Sequence, residues 1–135
     1  MRKGFTLVEL MIVVIIIAAL AAMVVPRLTG RTEQAKMTVA QADINSNIAM
    51  ALKLYELDNG NYPTTAQGLD ALLSKPSLSP VPPNWCGPYL EKKPMDPWNN
   101  PYQYKCPGAR NKSGYDLYSA GKDGIEGTED DVGNW

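Results

Sequence analysis

The chain opens on an uninterrupted apolar run. Leu10 to Val25 is sixteen consecutive residues drawn from Leu, Met, Ile, Val and Ala, and adding Phe5 to Glu9 extends the stretch to twenty-one with a single charge. As a helix rising about 1.5 Å per residue it spans roughly 31 Å, matching a bilayer hydrocarbon core of about 30 Å. That is longer than the apolar region of a secretory signal peptide, about 7 to 15 residues, and Val24-Val25-Pro26-Arg27 is a poor small-residue cleavage site. Beyond Pro26 the pattern turns periodic. Met37, Ile44, Ile48, Leu52 and Tyr55 recur at spacings of seven, four, four and three, one face of an amphipathic helix. The pattern predicts one helical rod from Phe5 to about Leu57. Pro26, which lacks a donor for the helix ladder, is expected to kink or interrupt it. Asp58-Asn59-Gly60-Asn61-Tyr62-Pro63 then stops it, because Asn-Gly is a turn pair and the residue before proline avoids the helical region.

The remainder of the chain has shorter elements. Thr64 and Thr65 are placed to cap a short helix from Ala66 to Leu73, and Pro76, Pro80, Pro82, Pro83 and Pro88 make the next stretch an irregular surface loop. Strands are expected at Tyr102 to Lys105 and Tyr115 to Ser119, with Tyr102 and Tyr104 on one face and Tyr115 and Leu117 on one face. The fold class is therefore α+β: a long N-terminal helix, its first half transmembrane and its second half amphipathic, packed on a small antiparallel sheet.

Charge and composition narrow the function. Thirteen Lys and Arg against fourteen Asp and Glu exclude a basic nucleic-acid binder, and the absence of His excludes a His-based triad. A membrane-tethered hydrolase using Asp130 and Asp131 as acid and base has no pocket-forming pattern behind it, so the chain is read as not an enzyme. Cys86 and Cys106 lack zinc-site spacings. If the domain lies outside the cytoplasm, an oxidising compartment favours a disulfide between them, worth about 3 kcal/mol by loop closure; two free thiols are the alternative.

Two charged features stand out. Glu9 lies one turn into the apolar run, where an acidic residue near the bilayer centre costs about 2.5–3.5 kcal/mol. No opposite charge exists in the segment, so its expected partner is the α-amino group of its own or a neighbouring chain, unless it snorkels at the interface. Gly121 to Asp131 carries five acids, one base and three glycines, with Ile125 as its one sizeable apolar residue. Such a loop cannot order itself by apolar burial. Asp123, Asp130 and Asp131 can converge on a hard cation, and a solvated acidic tail fits the composition equally well.

Lys3-Gly4-Phe5-Thr6-Leu7-Val8-Glu9-Leu10-Met11 resembles the type III signal of type IV pilins and pseudopilins. That resemblance implies that a prepilin peptidase cuts between Gly4 and Phe5 and methylates the new amino group of Phe5. It also implies that Glu9 meets the positive N-terminus of an adjacent subunit during assembly. Arg2 and Lys3 favour a cytoplasmic N-terminus, and Arg27 and Arg31 argue weakly the other way. Losing Arg2 and Lys3 leaves 11 bases against 14 acids, a net charge of −3.

Tyr62-Pro63-Thr64-Thr65-Ala66-Gln67-Gly68-Leu69, Asp96-Pro97-Trp98-Asn99-Asn100-Pro101-Tyr102, Ser119-Ala120-Gly121-Lys122-Asp123-Gly124 and Asp130-Asp131 with Trp135 extend the similarity over nearly the whole chain, to the major pseudopilins of the type II secretion system. The resemblance implies a pilin-like fold with a calcium-binding C-terminal loop. Its ligands map onto the side chains of Asp123, Asp130 and Asp131, with carbonyl or hydroxyl oxygens from Ala120, Ile125 and Thr128. The cysteine pair is outside that pattern. Implied domains are a cleaved leader at 1–4, an assembly helix at 5–29 and a periplasmic domain at 30–135.

The implied function is that of a structural subunit anchored in the bacterial inner membrane, which polymerises with its own copies into a periplasmic filament driving folded proteins across the outer membrane. Its implied partners are minor pseudopilins, the inner-membrane secretion platform and the prepilin peptidase, with no nucleic acid. The alternative is a type IV major pilin building surface fibres for adhesion or motility, which the cysteine pair keeps open.

Overall fold

The computed structural model describes residues 4–135, so the basic leader residues Arg2 and Lys3 lie outside the described residues. The chain divides into two compact units, one reaching Ala35 and one covering Lys36–Trp135.

In the first unit, helix α1 (Leu7–Ala42) begins on a capping box. Glu9 Oε2 accepts from the Thr6 backbone N–H at 2.8 Å, and the Glu9 N–H donates to Thr6 Oγ1 at 3.2 Å. Each satisfies a donor that the first helical turn leaves orphaned. Of the kink or interruption expected at Pro26, the interruption does not occur: α1 runs through the proline. Downstream of the proline, the Thr29 hydroxyl donates to the Pro26 carbonyl at 3.0 Å and the Thr32 hydroxyl to the Thr29 carbonyl at 2.7 Å. Every residue from Gly4 to Thr32 is exposed. Among its described residues this unit has no core of its own.

The second unit is built around the helical stripe. A turn of π-helix (Asp43–Asn47) follows α1 and leads into α2 (Ile48–Asn59). The buried face is Ala40, Ile44, Ile48, Ala51, Leu52 and Tyr55. Met37, expected on that face, is 41% exposed, and Ala40 at 0% takes its place. Steps of four residues overshoot one α-helical turn by about 40° each and would drift off the seam. The wider π turn winds less per residue and keeps Ala40, Ile44 and Ile48 in line. Helix α2 ends at Gly60, whose φ of 82° supplies the left-handed cap and whose N–H donates to Glu56 O at 2.7 Å.

Where a short α-helix is expected at Ala66–Leu73, the chain forms a 3-10 turn (Leu69–Leu72), which buries Leu69, Ala71 and Leu72. The start signal is nonetheless real. Thr64 N–H donates to Gln67 Oε1 at 3.0 Å and Gln67 N–H to Thr64 Oγ1 at 3.3 Å, a second capping box. The Gln67 side-chain amide also donates to the carbonyls of Leu78 at 2.9 Å and Pro80 at 2.8 Å, pinning the proline-rich loop.

Strands β1 (Gln103–Lys105), β2 (Asp116–Ser119) and β3 (Val132–Gly133) form an antiparallel sheet in that order, with Tyr104 opposite Leu117 and Tyr118 opposite Gly133. The central strand β2 is buried at all four positions. Tyr102, Tyr104, Leu117 and Val132 join the helical stripe in one core. Three tyrosines in or against that core find acceptors for their hydroxyls. Tyr102 donates to Asp43 Oδ2 at 3.0 Å, Tyr104 to Pro63 O at 2.8 Å and Tyr89 to Asp58 Oδ2 at 2.7 Å. Burial pushes the Tyr102 and Tyr104 hydroxyls up, so they remain neutral donors.

The bridge expected between Cys86 and Cys106 is absent: both are free thiols. Each sulfur has its own acceptor, Asn84 O at 3.1 Å for Cys86 and Gly114 O at 3.6 Å for Cys106.

Candidate functional sites: the apolar helix and the acidic loop

The first candidate site is a surface. Large apolar side chains from Phe5 to Leu28 are each about half or more exposed, and the run holds one carboxylate. At roughly 25 cal/mol per Å² of apolar area, so long a stretch cannot stay in water when a bilayer or another apolar helix is within reach. Its length and apolar composition suit a membrane span. Glu9 has a nearer partner than sequence reasoning supplies, because the Thr6 hydroxyl also donates to Glu9 Oε2, at 2.9 Å. The signal for it was present as Thr6-x-x-Glu9, a capping-box spacing. Thr6 is neutral, so the hydrogen bonds orient the carboxylate without cancelling its charge.

The second candidate site is the loop between β2 and β3. Asp123 Oδ1 accepts from Ile125 N–H at 2.9 Å, Asp130 Oδ2 from Asp123 N–H at 3.1 Å, and Asp131 Oδ2 from Gly127 N–H at 2.7 Å. The Thr128 hydroxyl lies 3.1 Å from Ile125 O and 2.5 Å from Asp130 Oδ1. That hydroxyl and the Asp123 N–H hold the Asp130 carboxyl below its usual range. Ile125 O, Thr128 and Asp130 are thus brought together. Among the described residues, however, no three carboxylates come close enough to form a metal cluster, and Asp123 and Asp131 are engaged by backbone amides instead.

One atom in the loop is left over. Asp131 Oδ1 is buried and accepts no hydrogen bond. A buried carboxylate oxygen without a donor or cation is costly, which makes this the point at which a hard ion fits the loop. Every atom on offer is oxygen, the donor type calcium takes. Gly121 leaves no room for a side chain. Its φ is 63°, and a Cβ there would collide with the Asp130 backbone and carboxylate. Lys105 Nζ meets Glu126 Oε1 at 2.7 Å, an exposed pair that tethers the loop to β1.

An exposed apolar helix followed in the chain by a helix-and-sheet unit defines the pilin-like class. A solved structure shares that fold: the major pseudopilin of the type 2 secretion system of enterohaemorrhagic Escherichia coli, 41% identical, covers 80% of this chain and 89% of its own at a TM-score of 0.72. Residues 27–135 match the family model for type II secretion system protein G, and residues 1–25 match the prokaryotic N-terminal methylation motif. Type II secretion system core protein G of Pseudomonas aeruginosa is 54% identical over 99% of this chain and 95% of its own length. Its namesake in Vibrio cholerae is 48% identical over 100% and 94%. The chain belongs to the type II secretion system protein G family. As such it is a pseudopilus subunit of type II secretion, which sets aside the surface-fibre alternative.

Proposed function

We propose that this chain is the major subunit of its pseudopilus: a precursor cut between Gly4 and Phe5, methylated on Phe5, held in the bacterial inner membrane by its apolar helix, and polymerised into a periplasmic filament that drives folded proteins across the outer membrane. The observation that carries the reading is the apolar surface of α1, exposed from Phe5 to Leu28 behind the Thr6–Glu9 cap. It needs a bilayer before assembly and neighbouring helices after it. Prepilin peptidase, minor pseudopilins and the inner-membrane platform are the corresponding partners. Glu9 pairs with the amino terminus of the next subunit, and its two bonds from Thr6 hold it in position to do so.

In the same reading the acidic loop is a calcium clamp. Asp123, Asp130 and Asp131 would supply carboxylates, with Ala120, Ile125 and Thr128 supplying neutral oxygens. The ion would provide the positive charge that the loop's single lysine does not, ordering the segment that carries β3.

Glu9→Ala and Glu9→Gln together test the assembly role. Gln keeps an acceptor for Thr6 and removes only the charge, whereas Ala removes both. Both variants are expected in the membrane fraction, and both are expected to form few filaments in cells. Filaments at the unmodified level from Glu9→Gln would show that Glu9 serves as a helix cap and would end the pairing role.

A further inference from the structure

The acidic loop begins at a buried hydrogen-bond chain that none of its own acids belongs to. Asp96 is 4% exposed and Ser119 0%. Asp96 Oδ1 accepts from the backbone N–H groups of Trp98 at 3.0 Å and Asn100 at 2.8 Å, closing the turn in Asp96-Pro97-Trp98-Asn99-Asn100. Its other oxygen accepts from the Ser119 hydroxyl at 2.5 Å, and Ser119 Oγ in turn accepts from Gly121 N–H at 3.1 Å. Hydrogen bonds to an ionised acceptor are short and about twice as strong as neutral ones.

Gly121 N–H belongs to the peptide that also carries the Ala120 carbonyl. A trans peptide is planar, with its N–H and C=O pointing in opposite directions. Holding the Gly121 N–H against Ser119 therefore turns Ala120 O away from the buried Asp96–Ser119 pair. Gly121 accepts this geometry at φ 63°, where a side chain would strain the backbone.

We infer that Asp96 and Ser119 are positioning residues for calcium: through the Gly121 amide they set the direction of the Ala120 carbonyl, and so prepare one ligand of the loop before the ion arrives. The inference rests on the calcium reading of the loop. It assigns a binding role to a buried pair that otherwise looks like core, and it couples the Asp96 turn to the affinity of a loop some twenty-five residues further along the chain.

Calcium titration of the full chain in detergent, with amide hydrogen exchange at Gly121 in chelator as a metal-free readout, tests it on Ser119→Ala and Asp96→Asn. Ser119→Ala removes the acceptor for Gly121 N–H outright; asparagine retains an acceptor for Trp98 and Asn100 but replaces the charged acceptor that orients the Ser119 hydroxyl with an N–H donor, so it weakens the relay while sparing the turn. Both variants are expected to lose at least about tenfold in calcium affinity, the lower end of what outer residues of metal sites cost, and to exchange the Gly121 amide faster. Wild-type affinity in both variants would overturn the inference and leave the calcium reading standing. A wild-type chain that binds no calcium would overturn the reading of the loop, and the inference with it.

Discussion

The apolar half of α1 and the acidic loop are opposite in chemistry and alike in one respect: neither completes itself within a single chain. The helix satisfies its backbone internally and leaves its side chains exposed from Phe5 to Leu28. The loop has one sizeable apolar residue, Ile125, itself 60% exposed, and one carboxylate oxygen buried without a partner. Between them in sequence, the core of Ile44, Ile48, Leu52, Tyr55, Leu72 and Leu117 closes on its own. The contrast separates what folds from what assembles. A region that lacks apolar partners calls for a lipid or another helix, and a region rich in acids with one buried, unpartnered oxygen is where a cation is to be tested.

Changes confined to the closed core should leave the two open regions their roles. Leu52 is fully buried in α2. Leu52→Ala should cost about 2–5 kcal/mol, and the melting midpoint of the Lys36–Trp135 unit should fall steeply in a calorimetric scan while the chain stays in the membrane fraction. Release from the membrane would mean that anchoring depends on that core, against the account. A smaller effect is expected from Thr64→Ala, which removes one half of the second capping box. About 1 kcal/mol of stability should go, read as a shift of roughly 4–8 °C for a domain of this size, with calcium affinity unchanged.

Features set by local chemistry were legible in the sequence. The apolar run, the stop at Asn59-Gly60 and the positions of β1 and β2 follow from residue type and spacing. Thr64 was recognisable as a cap, although the turn it closes with Gln67 gives way at Gly68, whose φ of 61° is not helical, to the 3-10 turn Leu69–Leu72. What the sequence concealed depended on partners remote in the chain. Strand β3 is two residues long and exists because Tyr118 and Ser119 offer it a neighbour. Met37 and Ala40 exchanged roles because a π turn reset the helical phase, which no residue in Asp43–Asn47 announces. The cysteines share an expected redox environment, but each sulfur is directed to a carbonyl of its own rather than to the other. In the loop, Asp123, Asp130 and Asp131 were evident as acids, while Asp96, Ser119 and Gly121 looked like turn and strand residues until the hydrogen bonds joined them.

The contrast meets its most direct test in the thermal stability of the full chain in detergent, scanned in calcium, in magnesium and in chelator. A ligand at a hundred times its dissociation constant adds about 2.7 kcal/mol, and each kcal/mol moves the midpoint of a domain near 100 residues by roughly 4–8 °C. The account predicts a rise of roughly 10–20 °C in calcium over chelator, with little in magnesium. Equal midpoints in all three would contradict it and make the acidic loop a solvated segment.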